Sequence, residues 1–399
     1  MKFTKKVLSN GLVILHEYRD VPVTSVAIAS KLGAAYEDSS EKGVSHFLEH
    51  MCFKGTSTRS AKELSATLEN SGGLLNAFTD ECVTSYYATI PSRRASVALD
   101  VLTDLYFNPL LDAAEVKKEA NVISEEIKMV KDDPEEYVDV KLKQNLYAGS
   151  LGLDIAGDVK NVLAVTRDVL VKKHSAFYQP ANSILCVVGN TPLEEVAGFF
   201  DNFKFPNNSP SVLPPIIVNK TTLKCVESRE GIEQANLAIG FHFPSKSSSQ
   251  RYTASLFNTI LGGGMSSRLF LNIREKLGLV YSVQSQYSAE KDFGLLGIFA
   301  GAKKKNVRKV MDLALKEFQG MVSISKEDLQ NAKERVLGIW EIGQECSMDS
   351  AERLIRAELN LGVEQHYLFQ DNINAVSLDE VRALAKIDDF ASFTLIPKK

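Results

Sequence analysis

Two histidines and a glutamate stand at a spacing suited to metal chemistry. The segment GVSHFLEHMCFKGT places His46, Glu49 and His50 in an H-x-x-E-H pattern. Residues four apart share one face of a helix, so both imidazoles can reach a single metal ion. Glu49 lies on the same face, where it can take a proton from a water on that metal without binding the ion. The pattern therefore predicts a zinc site with hydrolytic chemistry, in the inverse order of the commoner H-E-x-x-H.

A zinc ion that keeps one position for water needs a third protein ligand, and a glutamate-rich segment offers candidates. The apolar residues of EVKKEANVISEEIKMVKDDPEEYVDV recur close to helical spacing. Glu126 follows the apolar stripe, where an unpaired carboxylate would be costly, so we predict it as the third ligand and assign Glu125 to the surface. Glu119 lies two helical turns before Glu126, which fits a role behind a ligand histidine or a water. An ordinary surface charge is the alternative for Glu119.

The other residues that bind metals in proteins have no comparable spacing here. We assign structural or surface roles to the remaining histidines, which are His16, His174, His242 and His366. The cysteines are odd in number and form no C-x-x-C pair, which favours free thiols in a reducing compartment. They are Cys52, Cys82, Cys186, Cys225 and Cys346. Cys52 should point to a different helix face from the histidines, so packing is its predicted role.

These motifs together resemble those of the pitrilysin and mitochondrial processing peptidase family of zinc peptidases. In this chain a glutamate follows His50 by 76 residues, and another glutamate stands seven before that one. GGLLNAFTDECVTSYYATIP resembles the family's G-G-x-x-N-A-x-T strand, and LGGGMSSRLFLNIREKLGLVYSV its second-half motif. The resemblance covers nearly all of the chain. It implies a peptidase with one zinc per chain, bound by His46, His50 and Glu126, with Glu49 as the base.

The resemblance also implies roles in substrate binding. Asn76 and Ala77 lie on the GGLLNAFTDE strand, whose backbone could pair with an extended peptide as an added strand. From the residues alone, a turn or bulge after the two glycines is equally open for Asn76. Members of the family place an arginine and a tyrosine seven apart near the substrate and the developing oxyanion, and here these are Arg274 and Tyr281. Without the resemblance, both would be ordinary helix and strand residues.

Composition and charge are those of an average soluble globular protein. Hydrophobic residues make up 44% and charged residues 24%, and the net charge of −4 with dispersed Lys and Arg excludes nucleic acid as the expected partner. No run of eighteen apolar residues is present, so we expect no membrane span. The opening MKFTKKVLSNGLVILHE lacks a continuous apolar stretch and is typical of two strands and a turn rather than a signal peptide. The cytoplasm is the expected location.

The order of predicted elements indicates a duplicated α+β fold. The Pro- and Asn-rich segment FPNNSPSVLPPIIVNK separates two halves that each run from strands through helices to strands. We predict two α/β-sandwich-like domains, each a mostly antiparallel sheet covered by helices on one face. The predicted bounds are 1–206 for a zinc-binding catalytic domain, 207–220 for the linker and 221–399 for a metal-free repeat.

Three classes of function compete. The first is a zinc endopeptidase that cleaves flexible peptides or unfolded segments within a closed chamber. The second is a silent structural subunit of the same family or a processing peptidase subunit that needs a homologous partner, although silent members tend to lose the residues found here. The third is another zinc enzyme with the same short motif, such as S-ribosylhomocysteine lyase, which is far shorter. For the first class we expect a homodimer whose active sites are completed by the partner subunit's Arg274 and the partner subunit's Tyr281.

Overall fold

The computed structural model describes residues 2–201, 203–206 and 211–398. The strands in this part of the chain are β1 (Lys2–Val7), β2 (Val13–Tyr18), β3 (Val23–Ser30), β4 (Leu74–Thr79), β5 (Thr84–Pro91), β6 (Tyr147–Ala148), β7 (Ser183–Gly189), β8 (Asn219–Lys220), β9 (Lys224–Arg229), β10 (Ala235–His242), β11 (Val280–Ala289), β12 (Gly294–Ala302) and β13 (Ala391–Pro397). The helices are α1 (Val44–Cys52), α2 (Ala61–Glu69), α3 (Ala95–Phe107), α4 (Ala113–Asp132), α5 (Pro134–Leu146), α6 (Val159–Ala164), α7 (Arg167–Phe177), α8 (Leu193–Asp201), α9 (Arg251–Gly262), α10 (Val307–Gln319), α11 (Lys326–Ile342), α12 (Ser347–Asn360), α13 (Glu364–Tyr367), α14 (Phe369–Ala375) and α15 (Leu378–Leu384).

Two sheets share one topology, which confirms the predicted duplicated α+β fold. The first sheet has the strand order β1-β2-β7-β3-β5-β4, and the second has β9-β13-β10-β12-β11. Each contains one parallel pair, β2 with β7 and β9 with β13, and the other neighbours are antiparallel. Apart from the additional β1, every strand of the first sheet has a counterpart in the second at the same position in the order.

The chain forms two compact units, and each unit is built from segments that are not continuous in the sequence. Unit 1 consists of Met1–Ile127, Asp154–Ile216 and Gly343–His366, and unit 2 of Lys128–Leu153, Ile217–Ile342 and Tyr367–Lys399. The predicted bounds of 1–206 and 221–399 do not contain this exchange. Helix α12, from late in the chain, belongs to unit 1. Helix α5, from the first half of the chain, belongs to unit 2.

The inner strands of the first sheet are covered on both faces. Leu12 and Ile14 of its β2 region pack with α1, α2 and α3, whereas the alternate residues Val13 and Leu15 pack with α12. Helices on one face were predicted, and the structure adds α12 on the other. This accounts for β7, in which every residue is buried, because a strand covered on both faces carries no polar alternation.

The second sheet makes room for its extra helix with two glycines. Gly240 of β10 pairs with Gly297 of β12, and a Cβ atom at Gly240 would come within 2.7 Å of the Leu146 side chain of α5. The residues that alternate with these glycines along the strands, such as Ile239, point to the opposite face and pack with α9 and α10 in the main core. Helix α5 can therefore lie close to the sheet only where side chains are missing.

The predicted linker is only partly described. Residues 207–210 lie outside the described residues, residues 211–218 have no regular secondary structure, and β8 pairs with β6. Among the helices of the described residues, none combines the length and the apolar character that crossing a bilayer requires.

Candidate metal centre

Helix α1 presents its polar face because its other face is anchored in the core. Phe47, Leu48 and Met51 are fully buried, so the residues on the opposite side are left half-buried. The helix begins after Gly43, which has a φ of 100°. The buried Glu37 carboxylate accepts hydrogen bonds from the backbone N–H groups of Gly43 and Ser45 at 2.9 and 2.5 Å. A carboxylate at this end of a helix both satisfies free donors and complements the helix dipole.

The three predicted metal ligands converge. His46 and His50 lie on α1 with ring centroids 4.7 Å apart, and Glu126 lies on α4. Glu126 Oε2 is 3.8 Å from His46 Nε2 and 3.6 Å from His50 Nε2. One ligand atom from each residue lies within 4.8 Å of the others. The Nε2 atoms of both histidines of α1 thus face the Glu126 carboxylate of α4.

This spacing fits a zinc ion. Tetrahedral ligands about 2.0–2.1 Å from zinc stand roughly 3.3 Å from one another, close to the distances between these carboxylate and imidazole atoms. Burial lowers the pKa of His46 to about 4, and the neighbouring His50 acts in the same direction. The imidazole of His46 is therefore neutral near pH 7, which is the form that binds metals. Two imidazoles and one carboxylate are a ligand set that zinc hydrolases use.

Glu119 lies behind a histidine rather than on the surface. Its Oε2 is 3.1 Å from His50 Nδ1, and its side chain is only 6% exposed. Lys54 places its ammonium 2.5 Å from Glu119 Oε1. A carboxylate at Nδ1 favours the tautomer with the proton on Nδ1, in which the Nε2 lone pair lies on the side of Glu126. The alternative of an ordinary surface charge for Glu119 is excluded by its burial.

Glu126 reaches the histidines for a reason other than the one predicted from the sequence. The apolar pattern suggested a buried carboxylate, but the Glu126 side chain is 47% exposed. Glu119 is the buried member of the pair, and Glu125 is exposed as expected. The apolar stripe is consequently a poor guide to the ligand. Glu126 faces the histidine pair because it shares a helix face with Glu119, two turns away.

Glu49 stands beside the ligands, with its carboxylate bound to a threonine. Thr79 at the end of β4 places its Oγ1 2.6 Å from Glu49 Oε2. Burial raises the pKa of Glu49, while the hydrogen bond from Thr79 and the nearby His50 lower it. Sequence reasoning missed Thr79 and Lys54. The available signals were the threonine that ends N-A-x-T and the lysine one helical turn after His50.

The predicted substrate residues lie on an edge strand. Strand β4 is the last strand of its sheet and packs against α1. Asn76 is exposed and pairs in regular register with Tyr87 of β5, so it occupies a strand rather than a turn or bulge. The backbone N–H of Ala77 donates to Asn76 Oδ1 at 2.9 Å. An edge strand offers unpaired backbone groups to another chain.

Arg274 and Tyr281 are neighbours in unit 2. Arg274 lies in a π-helical segment, Phe270–Glu275, and its guanidinium carbon is 4.7 Å from the Phe270 ring centroid and 5.7 Å from that of Tyr281. Tyr281 sits where the β11–β12 register shifts, and it is 77% exposed. A π-turn and a bulge each re-aim a side chain. Together they bring the two residues side by side.

Three of the four remaining histidines and Cys52 have structural settings. Three histidines place Nε2 within 2.9 Å of a backbone carbonyl oxygen, namely His16, His174 and His242. Cys52 is fully buried, and the Tyr86 hydroxyl donates to its sulfur at 3.3 Å. Burial raises the pKa of Cys52 to about 12, so the thiol is protonated near pH 7, and its side chain packs in the core as predicted.

Two family models match the chain in succession. One, described as insulinase (peptidase family M16), matches residues 12–159, and one described as peptidase M16 inactive domain matches residues 164–336. The uncharacterized zinc protease YmxG of Bacillus subtilis is 34% identical over 402 residues, covering 97% of this chain and 97% of the relative. An uncharacterized zinc protease of Streptomyces coelicolor is 30% identical over 396 residues, covering 96% of this chain and 86% of the relative.

Solved structures match the whole chain. A protease from Helicobacter pylori has a TM-score of 0.92 at 20% identity and covers 99% of both chains. A structure described as peptidase M16 inactive domain, from Pseudomonas fluorescens, has a TM-score of 0.91 at 17% identity, covering 100% of this chain and 98% of the other. At these identities the likeness shows the fold alone.

Proposed function

The chain belongs to peptidase family M16, the insulinase or pitrilysin family, as a short two-domain member, and on this premise we propose that it is a zinc endopeptidase acting on flexible peptides. The observation that carries the proposal is the convergence of His46, His50 and Glu126 with Glu49 beside them. The relatives' names, which call them zinc proteases, support zinc as the metal. We propose one zinc per chain.

Each residue of the site has a chemical task in this proposal. When bound, zinc would polarise the scissile carbonyl and acidify a water. Glu49 accepts the proton of the attacking water on its carboxylate and delivers it to the leaving amine. Glu119 keeps the proton of His50 on Nδ1, which leaves Nε2 free to bind metal. The acid and the base are thus one carboxylate used twice.

The edge of β4 is the proposed peptide-binding surface. An extended peptide would add to this edge through its backbone, beside Asn76 and Ala77 and next to helix α1. Main-chain pairing reads few side chains and requires an extended substrate. Flexible peptides and unfolded segments meet this requirement, whereas a stable folded protein does not present such a segment without unfolding. We propose that cleavage takes place within a closed chamber.

A silent subunit of the same family is the second candidate. The description of one matching model as an inactive domain is the observation in its favour, and it applies to residues 164–336. Against it stands the retention of all three ligands and of Glu49, which a purely structural subunit does not need. A subunit that works only with a different partner chain is a variant of this candidate.

We further propose a homodimer with sites completed in trans. The family resemblance implies long single-chain members with four domains, in which the metal lies in the first and the Arg and Tyr in the last. In a two-domain chain, a second copy would take the part of the latter half. Tyr281 is exposed on unit 2 with the half-buried Arg274 beside it, and an arginine and a phenol are suited to a developing oxyanion. A closed two-fold pair is also the commonest oligomer. The free thiols of all five cysteines suit the cytoplasm, which we keep as the proposed location.

The decisive experiment for the activity compares metal content with cleavage of a quenched peptide. Glu49→Gln should bind zinc as the native protein does but lose nearly all turnover, because the amide cannot accept the proton. His50→Ala should lose the metal itself. Near-normal cleavage by Glu49→Gln would remove Glu49 as the base. A zinc-loaded native protein that cleaves no peptide would favour the silent or partner-dependent subunit.

Complementation tests the dimer. Mixing inactive Glu49→Gln and inactive Tyr281→Phe subunits should restore part of the activity, because one of the two mixed sites carries neither change. A pair of Glu49→Gln and His50→Ala subunits is the matched control, since both changes damage the same metal site. No recovery despite proven subunit exchange would mean that each site is built within one chain.

A further inference from the structure

We propose that Thr79 is a positioning residue for Glu49: its hydroxyl holds one carboxylate oxygen so that the other stays available for the proton transferred during hydrolysis. The inference rests on the function proposed above, in which Glu49 is the base. It assigns a task to a residue that neither binds the metal nor touches the scissile bond.

The contact between the two side chains is short and isolated. Thr79 Oγ1 lies 2.6 Å from Glu49 Oε2, and within the described part of the chain this is the one hydrogen bond of the Glu49 side chain. Hydroxyl-to-carboxylate bonds of about 2.5–2.7 Å are among the stronger ones because the acceptor is charged. Oε1 accepts no hydrogen bond from these residues. One oxygen is therefore held and the other is open.

The hydroxyl proton of Thr79 has a single good acceptor. Thr84 lies directly across the β4–β5 pair, but its Oγ1 is 3.4 Å away. The hydroxyl of Thr84 donates instead to the carbonyl oxygen of Leu32 at 3.0 Å. An ionised carboxylate only accepts, so Thr79 must be the donor to Glu49. The hydroxyl of Thr79 therefore donates its proton to the Glu49 carboxylate and not to Thr84.

The end of the strand that carries Thr79 contacts helix α12 through the neighbours of Thr79. Asp80, the next residue, forms an ion pair with Arg356 of α12 at 2.8 Å, and the Arg356 guanidinium carbon lies 5.4 Å from the Phe78 ring centroid. The β-branch of Thr79 restricts its χ1 angle. The hydroxyl therefore reaches Glu49 from a strand end whose two flanking residues, Phe78 and Asp80, both contact Arg356.

Removing the hydroxyl without changing the shape tests this task. Thr79→Val should leave the zinc content and KM for a quenched peptide unchanged while kcat falls about ten-fold or more, because one charge-assisted bond is lost. Thr79→Ser restores the donor and should recover most of kcat. The split between kcat and KM, with rescue by serine, would not arise from a general loss of structure.

A matched control lies on the same sheet. Thr89 of β5 pairs with Leu74 at the far end of β4, and its hydroxyl is 2.8 Å from Ser25 Oγ. Thr89→Val removes a threonine hydroxyl from the same pair of strands, but its bond is to a neutral serine and not to Glu49, so this variant should keep native kcat. Thermal unfolding of all variants checks folding, and Thr79→Ser keeps the test open if the valine variant is unstable.

The outcomes distinguish the positioning role of Thr79 from the proposed peptidase function on which it rests. Native kcat in Thr79→Val, or an equal loss in Thr79→Ser, with an inactive Glu49→Gln, overturns the positioning role and leaves the peptidase assignment standing. A fall in Thr89→Val as large as that in Thr79→Val also overturns it. An inactive native protein, or an active Glu49→Gln, overturns both.

Discussion

At the scale of single residues, the proposed metal site includes a carboxylate with two partners. Glu119 contacts His50 with one oxygen and Lys54 with the other. An exposed ion pair alone is worth little, but Glu119 is nearly buried, and the loss of its cation leaves a charge without compensation. We therefore expect Lys54 to stabilise the orientation of His50, a proposed ligand, although Lys54 itself is not one.

We expect Lys54→Met to weaken zinc binding about ten-fold, within the range known for changes behind a ligand, whereas Lys54→Arg should keep most of the affinity. Competition with a chelator measures this without any peptidase assay. Lys118→Met is the matched control, because Lys118 forms an ion pair of the same 2.5 Å length with Glu115 on the exposed side of α4. Unchanged affinity in Lys54→Met would show that Glu119 holds His50 unaided.

A buried histidine predicts how stability depends on pH. Burial lowers the pKa of His174 to about 4, against the opposing hydrogen bond to the Tyr106 carbonyl. Between pH 6.5 and about 4 the unfolded chain binds a proton at this position that the folded chain does not, so stability falls as pH falls through this window. In denaturant titrations at several pH values, His174→Gln should show a shallower fall than the native protein. Parallel curves would mean that His174 contributes nothing to acid sensitivity.

At the scale of elements, the packing of α5 on the second sheet depends on missing side chains. Gly240 and Gly297 are paired, and the Leu142 and Leu146 side chains of α5 occupy the space that a Cβ atom at Gly240 would fill. A strand glycine normally weakens a strand. Here it permits close contact between a helix and a sheet.

Gly240→Val should lower the free energy of unfolding by about 1–3 kcal/mol, because overpacking displaces α5. Gly338→Val is the control, since a Cβ atom at that helical position in unit 2 meets nothing within 4 Å. Chemical denaturation followed by circular dichroism compares the two. Equal stability of Gly240→Val and the native protein would show that α5 can move away without cost.

At the scale of the whole molecule, each compact unit needs a helix from the other half of the chain. Ala351, Leu354 and Ile355 of α12 cover the face of the first sheet formed by residues such as Leu15 and Ala27. A fragment of residues 1–206 lacks α12, and it also carries α5 without the sheet on which α5 packs. The two halves of the chain are therefore not independent domains.

We expect the 1–206 fragment to unfold without a cooperative transition and to expose apolar surface to dyes, because one face of its sheet is bare. Adding a peptide of residues 343–366 should restore part of the transition, whereas the same peptide with Leu354→Asp should not. Cooperative unfolding of the fragment by itself would show that α12 is dispensable.

The sequence by itself determined what depends on short-range spacing. The helical period of H-x-x-E-H places His46 and His50 on one face, and the two-turn interval does the same for Glu119 and Glu126. The α+β class and its duplication followed from the order of strands and helices. These features survive folding because they are properties of single elements and of their succession along the chain.

The tertiary structure decided which elements meet. A periodic pattern shows that a helix has a buried face but not which sheet buries it, so neither the exchange of α5 and α12 nor the second covered face of the first sheet was readable. The same holds for Thr79 and Lys54, whose partners are set by packing between β4, α1 and α4. Glu126 illustrates the limit most clearly: its pattern indicated burial, whereas its position opposite two imidazoles depends on how α1 and α4 lie against each other.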